Sequence, residues 1–216
     1  MTSWHLPNRG PRGASRALLV RPRLEVLEGR TLPSTVTNLN DASDGSLRQA
    51  ILDTPAGGTV DFQPGLSGVI ILTSGELLIN KDLTVAGPGA NVIGVSGNHA
   101  SRVFEIAARF TVDISGVTIA NGRANPGNGG GILNSGTLTL TSCTLNGSSA
   151  RQGSGIENDG GTLTLTSCTL SGNSVSLTND GGAIANPSGT LTLTNSTLTS
   201  NSAPSGDGGA STTMAR

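Results

Sequence analysis

Along most of this chain, apolar and polar residues alternate in runs too short to make helices. Thr59-Val-Asp-Phe62, Val69-Ile-Ile-Leu72, Leu77-Leu-Ile79, Leu83-Thr-Val85, Val92-Ile93 and Val103-Phe-Glu-Ile106 are set apart by Gly, Pro, Asn and Ser. A two-residue period bounded by turn residues predicts short β-strands. From Gly136 the pattern becomes a repeat. Gly136-Thr-Leu-Thr-Leu-Thr-Ser-Cys-Thr-Leu145 recurs unchanged at residues 161–170, and at 189–198 with Asn-Ser replacing Ser-Cys. The copies start 25 and then 28 residues apart, and residues 110–119 are a diverged copy 26 residues earlier. A period in the twenties built of short strands predicts an all-β solenoid, a parallel β-helix with coils of about 25 residues.

Within the phrase, alternation sends Leu138 and Leu140 inward and Thr137, Thr139 and Thr141 outward. A bend at Thr141-Ser142 resets the alternation, so that Cys143 and Leu145 face inward. A second strand precedes each phrase, as Gly131-Ile-Leu-Asn134, Gly155-Ile-Glu-Asn158 and Ala183-Ile-Ala-Asn186. Ile132, Ile156 and Ile184 form its inward stack, and Asn134, Asn158 and Asn186 are expected to form an amide ladder at the turn that follows. This grammar gives three strands per coil, with the intervening Gly/Ser/Asn stretches as loops. Cys143 and Cys168 occupy the same place in successive copies, one rung apart. They read either as two small buried groups in a ladder continued by Ser196, or as a pair within disulfide reach.

Four prolines, Pro7, Pro11, Pro22 and Pro33, break up residues 1–35, which are expected to form a disordered leader or sorting segment. Ser46 followed by Gln49 is a capping-box spacing, and Leu47, Ala50 and Ile51 then make one apolar helical face. A short helix in residues 36–57 would cover the otherwise open first coil. Residues 58–210 are assigned to the β-helix. Ser205-Gly-Asp-Gly-Gly-Ala210 starts another coil without completing it, so residues 211–216 are expected to be an irregular, truncated tail whose uncapped coil could self-associate.

Three sets of segments resemble known families. Gly45-Ser-Leu-Arg-Gln-Ala-Ile51 resembles the opening motif of bacterial surface proteins that fold as right-handed parallel β-helices. Gly129-Gly-Gly-Ile132, Gly153-Ser-Gly-Ile156 and Gly181-Gly-Ala-Ile184 resemble the Gly-Gly-Ala-Ile half of the repeat in polymorphic outer membrane proteins. Leu170-Ser-Gly-Asn173 and Leu198-Thr-Ser-Asn201 approximate its Phe-x-x-Asn half. Residues 21–34 resemble a motif near the N-terminus of large exported bacterial proteins. These resemblances imply a right-handed coil, export to the cell surface and an adhesin-like role.

Composition changes the picture in two ways. The 216 residues include 32 Gly and only four aromatics, Trp4, Phe62, Phe104 and Phe110, which suits thin solenoid coils better than a globular core. The net charge of -1 combines +4 over residues 1–30 with -5 over the remainder, so the folded part has no electrostatic basis for binding nucleic acid. No stretch is long enough to span a membrane as a helix, and no spacing suggests a metal or cofactor site.

Because β-helices can also carry polysaccharide lyase or hydrolase chemistry, the placement of the charged residues matters. In the regular coils Glu157, Asp159, Asp180 and Asp207 share no strand face, Arg102, Arg109, Arg123 and Arg151 are scattered, and His99 stands alone. The patterned surface is the outward Thr set: Thr139, Thr141, Thr164, Thr166, Thr192 and Thr194. Its spacing would be about 6.7 Å along strands and 4.8 Å between them. Such a grid could lie against a polysaccharide or another cell-surface component, or order water as in ice-binding β-helices. Thr is also simply a soluble residue with good strand propensity. The expectation is an exported, adhesin-like scaffold that binds through its strand faces.

Overall fold

Every inward apolar residue stacks on its counterpart one coil away, and this continuous stack is the core. The structure, a computed structural model, describes residues 1–2, 34–175, 181–204 and 211–213. The fold lies in the unit Thr31–Arg216. The expected leader therefore falls outside the described residues, except at its two ends.

The chain enters with β1 (Ser34–Val36) and α1 (Leu47–Asp53). The first coil contains β2 (Gly58–Phe62), β3 (Gly68–Ile71) and β4 (Leu77–Ile79). The second contains β5 (Leu83–Ala86), β6 (Ile93–Ser96) and β7 (Phe104–Ile106). The third coil gains a strand, with β8 (Thr111–Ser115), β9 (Thr118–Ala120), β10 (Arg123–Asn128) and β11 (Ile132–Asn134). The fourth is β12 (Thr137–Thr141), β13 (Thr144–Asn146), β14 (Ser149–Gln152) and β15 (Ile156–Asn158). The fifth is β16 (Thr162–Thr166), β17 (Thr169–Ser171), β18 (Ser174–Val175) and β19 (Ile184–Asn186). The sixth is β20 (Thr190–Thr194), β21 (Thr197–Thr199) and β22 (Ser211–Thr213).

Corresponding strands of successive coils pair in parallel. The first sheet is β1-β2-β5-β8-β12-β16-β20, the second β3-β6-β9-β13-β17-β21 and the third β4-β7-β11-β15-β19-β22. The chain is thus a parallel β-solenoid of about six turns, with one helix among the described residues. Val112, Leu138, Leu163 and Leu191 stand in one register row, and Ile114, Leu140, Leu165 and Leu193 in the next. Leu138, Leu140, Leu163 and Leu165 are completely buried.

Three expectations are corrected. The Gly/Ser/Asn stretches are not only loops, because β10, β14 and β18 form a fourth sheet. A single small apolar residue per coil (Ala124, Ala150, Val175) is enough to anchor it, and all three are buried. Ser211–Thr213, expected to be irregular, pairs with β19, since a parallel edge accepts backbone whatever its side chains. Ser34 and Thr35, placed in the leader, pair with Val60 and Asp61.

The corner between the first two sheets carries a left-handed residue in four coils: Gly116, Ser142, Ser167 and Asn195, with φ between 50° and 58°. One such residue turns the strand and resets which side chains face inward. This is the bend read at Thr141-Ser142.

The entry helix buries Leu47, Ala50 and Ile51 against the first coil. The Ser46 hydroxyl accepts from the Gln49 amide N–H at 3.2 Å, but the Gln49 side chain donates to Asp53 at 2.8 Å. Only one half of the reciprocal capping box is therefore made. Arg48 fastens the helix to the coil, donating to the carbonyls of Gly75 and Glu76, each at 2.7 Å, and to Asp41 Oδ1 at 2.7 Å. Asp41 Oδ2 accepts from the backbone N–H groups of Thr73 at 2.9 Å and Ser74 at 2.7 Å, and from both hydroxyls. Burial by itself would raise the Asp41 pKa, but the bonds from Ser74, Arg48 and Thr73 hold it well below the usual carboxylate range.

Candidate functional site

The outward side of the first sheet is a register of hydroxyls. Thr137, Thr162 and Thr190 form one row, Thr139, Thr164 and Thr192 the next, and Thr141, Thr166 and Thr194 a third. In coil three the rows continue as Thr111, Asp113 and Ser115. The strict two-residue alternation puts these side chains outward, because their Leu neighbours fill the interior. A neighbouring row, Thr118, Thr144, Thr169 and Thr197, runs parallel to them on the second sheet.

The Asn residues do different work. Asn134 Nδ2 donates to Asn158 Oδ1 at 2.7 Å, and Asn158 Nδ2 to Asn186 Oδ1 at 2.6 Å. All three are buried, and each also donates to the carbonyl of a nearby Gly: Gly136, Gly161 and Gly189. A second amide contact at another corner, Asn173 Nδ2 to Asn201 Oδ1 at 3.0 Å, joins the two Leu-x-x-Asn segments. Cys143 and Cys168 are free and each only 1% exposed. Their thiols lie 3.4–3.5 Å from backbone carbonyls, and the hydrogen bond with Cys168, together with burial, pushes the Cys143 thiol far up. Asn134, Asn158, Asn186, Cys143 and Cys168 build the solenoid's interior, each no more than 2% exposed.

A third arrangement was missed in the sequence. Arg102 Nη1 donates to the carboxylates of both Glu76 and Glu105, the latter at 3.0 Å. Its Nε donates to Gly129 O at 2.9 Å and its Nη2 to Asn128 O at 3.1 Å. Asn128 Nδ2 in turn reaches Glu157 Oε1 at 3.5 Å. A polar line thus crosses four successive coils beside the third sheet. Arg102 is not scattered, and Glu105 and Glu157 lie on the same side of that sheet, with Leu133 between them in register. Burial raises the pKa of Glu105, the neighbouring Glu76 raises it further, and Arg102 acts in the opposite direction. Glu157 is 2% exposed with no partner for Oε2 among the described residues. Its burial, and then the charge of Asp159, push it up to about 7. The available signal was spacing: Glu76, Arg102 and Asn128 stand 26 residues apart, one coil each, and Glu105 and Glu157 stand two coils apart.

Geometry limits what this line can do. Glycoside hydrolysis needs two carboxyls on either side of a glycosidic bond. Glu76 and Glu105 close on one guanidinium nitrogen, so that nitrogen stands between them instead. Among the described residues no group of three His, Cys, Asp or Glu side chains could hold a metal ion. Asp180 and Asp207 lie outside the described residues. Arg151 sits on the outward side of β14, away from any partner carboxylate among the described residues, and His99 lies in a left-handed turn.

What fold and surface define together is a parallel β-solenoid with a hydroxyl-lined face and a charged line along another side. No protein-family profile matches the chain, and comparisons with curated proteins and with solved structures return no match. No helix among the described residues is long and apolar enough to cross a membrane.

Proposed function

We propose that this chain is an exported, cell-surface β-helix scaffold that acts as an adhesin-like binding module, with its Thr face lying along a polysaccharide. The observation that carries this reading is the three-by-three register of outward Thr on β12, β16 and β20. A hydroxyl both donates and accepts, so a periodic array of them can hydrogen-bond to a chain of sugar hydroxyls in many equivalent registers. Rows about 4.8 Å apart along the solenoid axis present this chemistry continuously, and the stacked core beneath keeps it flat. Each contact is weak, and binding strength comes from their number.

The test is the double variant Thr164→Lys, Thr166→Lys at the centre of the face. Both side chains point away from the core, so the thermal midpoint should change by only a few degrees. Retention on immobilised polysaccharide should weaken roughly tenfold or more, about 1.4 kcal/mol. Unchanged retention would remove the Thr face from the reading. The same pair measured for inhibition of ice recrystallisation separates sugar contact from water ordering.

A further inference from the structure

Beside the polar line lies a groove of about 320 Å³, bounded by Gly75 and Glu76 on one side and by residues 123–127 on the other. We propose that it is a binding site for a carboxylate-bearing sugar, which would make the polysaccharide of the preceding section an acidic one. The proposal rests on that reading for its ligand class and on separate residues for its site.

The groove's volume is at the small end of the range for ligand sites, enough for a short stretch of saccharide. Its polar lining residues are not equivalent. Arg102 is largely committed, with donors placed on two carboxylates and two backbone carbonyls. Glu76, about one-third exposed, gives one oxygen to Arg102 and keeps acceptor capacity for hydroxyl groups. Ser101 also lines the groove, but its hydroxyl is buried, with no hydrogen-bond partner among the described residues. Arg123, at the start of β10, is exposed, and its guanidinium has no partner among the described residues.

An unpaired guanidinium is a fork of donors without an acceptor. It matches a carboxylate bidentately, which neither a hydroxyl nor a carbonyl does. Beside it, Asn125 offers an amide and Pro126 an apolar surface, the two features that a sugar's hydroxyls and ring face require. A neutral sugar would leave Arg123 unused. A nucleic acid would need several unpaired cations along its phosphates, and of the groove's two arginines Arg102 is already paired with Glu76 and Glu105. The acidic saccharide uses Arg123 for its carboxylate, and Asn125, Pro126 and the remaining acceptor capacity of Glu76 for its hydroxyls and ring face.

The experiment titrates a galacturonate trimer and, in parallel, a maltose-series trimer into the full chain, followed by calorimetry or amide shifts. The groove lies on coils one to three and the Thr register on coils four to six of a different sheet, so a trimer cannot span both, and the Thr164→Lys, Thr166→Lys variant shows which of them it occupies. The galacturonate trimer should bind the wild type and the Thr164→Lys, Thr166→Lys variant equally. It should bind Arg123→Glu at least tenfold more weakly, and the neutral trimer should bind the wild type at least tenfold more weakly. Arg123 is exposed, and unchanged melting of the variant checks that the fold is kept. No trimer binding, equal binding by Arg123→Glu, or equal binding of the neutral trimer would overturn the proposal. If polymer retention still falls in the Thr variant in any of those cases, the Thr-face reading stands without the groove. If the trimer behaves as expected while polymer retention ignores the Thr substitutions, the groove stands and the Thr face falls.

Discussion

At the scale of single residues, the fold leans on one carboxylate. Asp41 takes bonds from Arg48 on the entry helix and from Thr73 and Ser74 at the turn after β3, tying the cap to the first coil. Removing one partner of a nearly buried, multiply bonded ion pair typically costs about 3–5 kcal/mol. Asp41→Asn should lower the stability by roughly that amount in urea unfolding at pH 7. The pH dependence follows from the direction of the shift. A carboxyl whose folded pKa is depressed adds stability above its unfolded value, and this is lost as pH falls through the folded one. The gap between wild type and variant should therefore be full at neutral pH and shrink on acidification below about pH 4. An equal gap at pH 7 and pH 3 would mean that Asp41 acts through packing and not through its charge. Its role was hidden in the sequence, where its partners stand 32 and 33 residues away in an irregular coil. Ser46 was readable because its partner amide, Gln49, is three residues on.

At the scale of elements, the strands were readable wherever two-residue alternation met a Gly, Pro or Asn boundary. Their pairing followed from the repeat, since identical phrases one coil apart must stack in register. The fourth sheet was not readable, because β18 spans two residues and β14 only four, with one inward side chain each. Too few positions alternate there to show a period. The Asn ladder is the element-scale device that joins rungs outside the strands. Asn158 is its centre: it accepts from Asn134 and donates to Asn186 and to the carbonyls of Gly161 and Thr190. Asn158→Ala leaves the Oδ1 of Asn186 buried without its donor, while the Asn134 amide keeps the carbonyls of Gly136 and Thr162. One such unsatisfied group costs about 1–3 kcal/mol, and a loss of that order is expected. The check is chemical denaturation with Asn146→Ala as comparison, a residue outside the ladder on β13. A loss no larger than that of Asn146→Ala would mean the ladder follows the stacking of coils without supporting it.

At the scale of the whole molecule, the candidate surfaces differed in how far they could be read. The Thr face lies within a phrase repeated three times, so its register was fixed by the repeat. The groove and most of the charged line lie in coils one to three, before the exact repeat begins, and only a 26-residue spacing joins Glu76, Arg102 and Asn128. The same quasi-one-dimensional build decides how substitutions are felt. Each coil contacts only its neighbours, so the cost of a core change depends on whether it is flanked on both sides. Leu163 is 0% exposed between Leu138 and Leu191, whereas Leu193 on β20 is 42% exposed. Leu163→Ala removes a fully buried side chain and leaves a cavity, with an expected cost of about 2–5 kcal/mol. Leu193→Ala removes surface still largely in contact with water, so its cost should be under about 1 kcal/mol. The two are the same residue type two positions apart in one repeated strand pattern, so propensity cancels in the comparison. Urea unfolding of both variants reads the difference. Equal losses would require a further layer packed over β20, and amide exchange at Leu191 and Leu193 as slow as at Leu138 and Leu140 would reveal it.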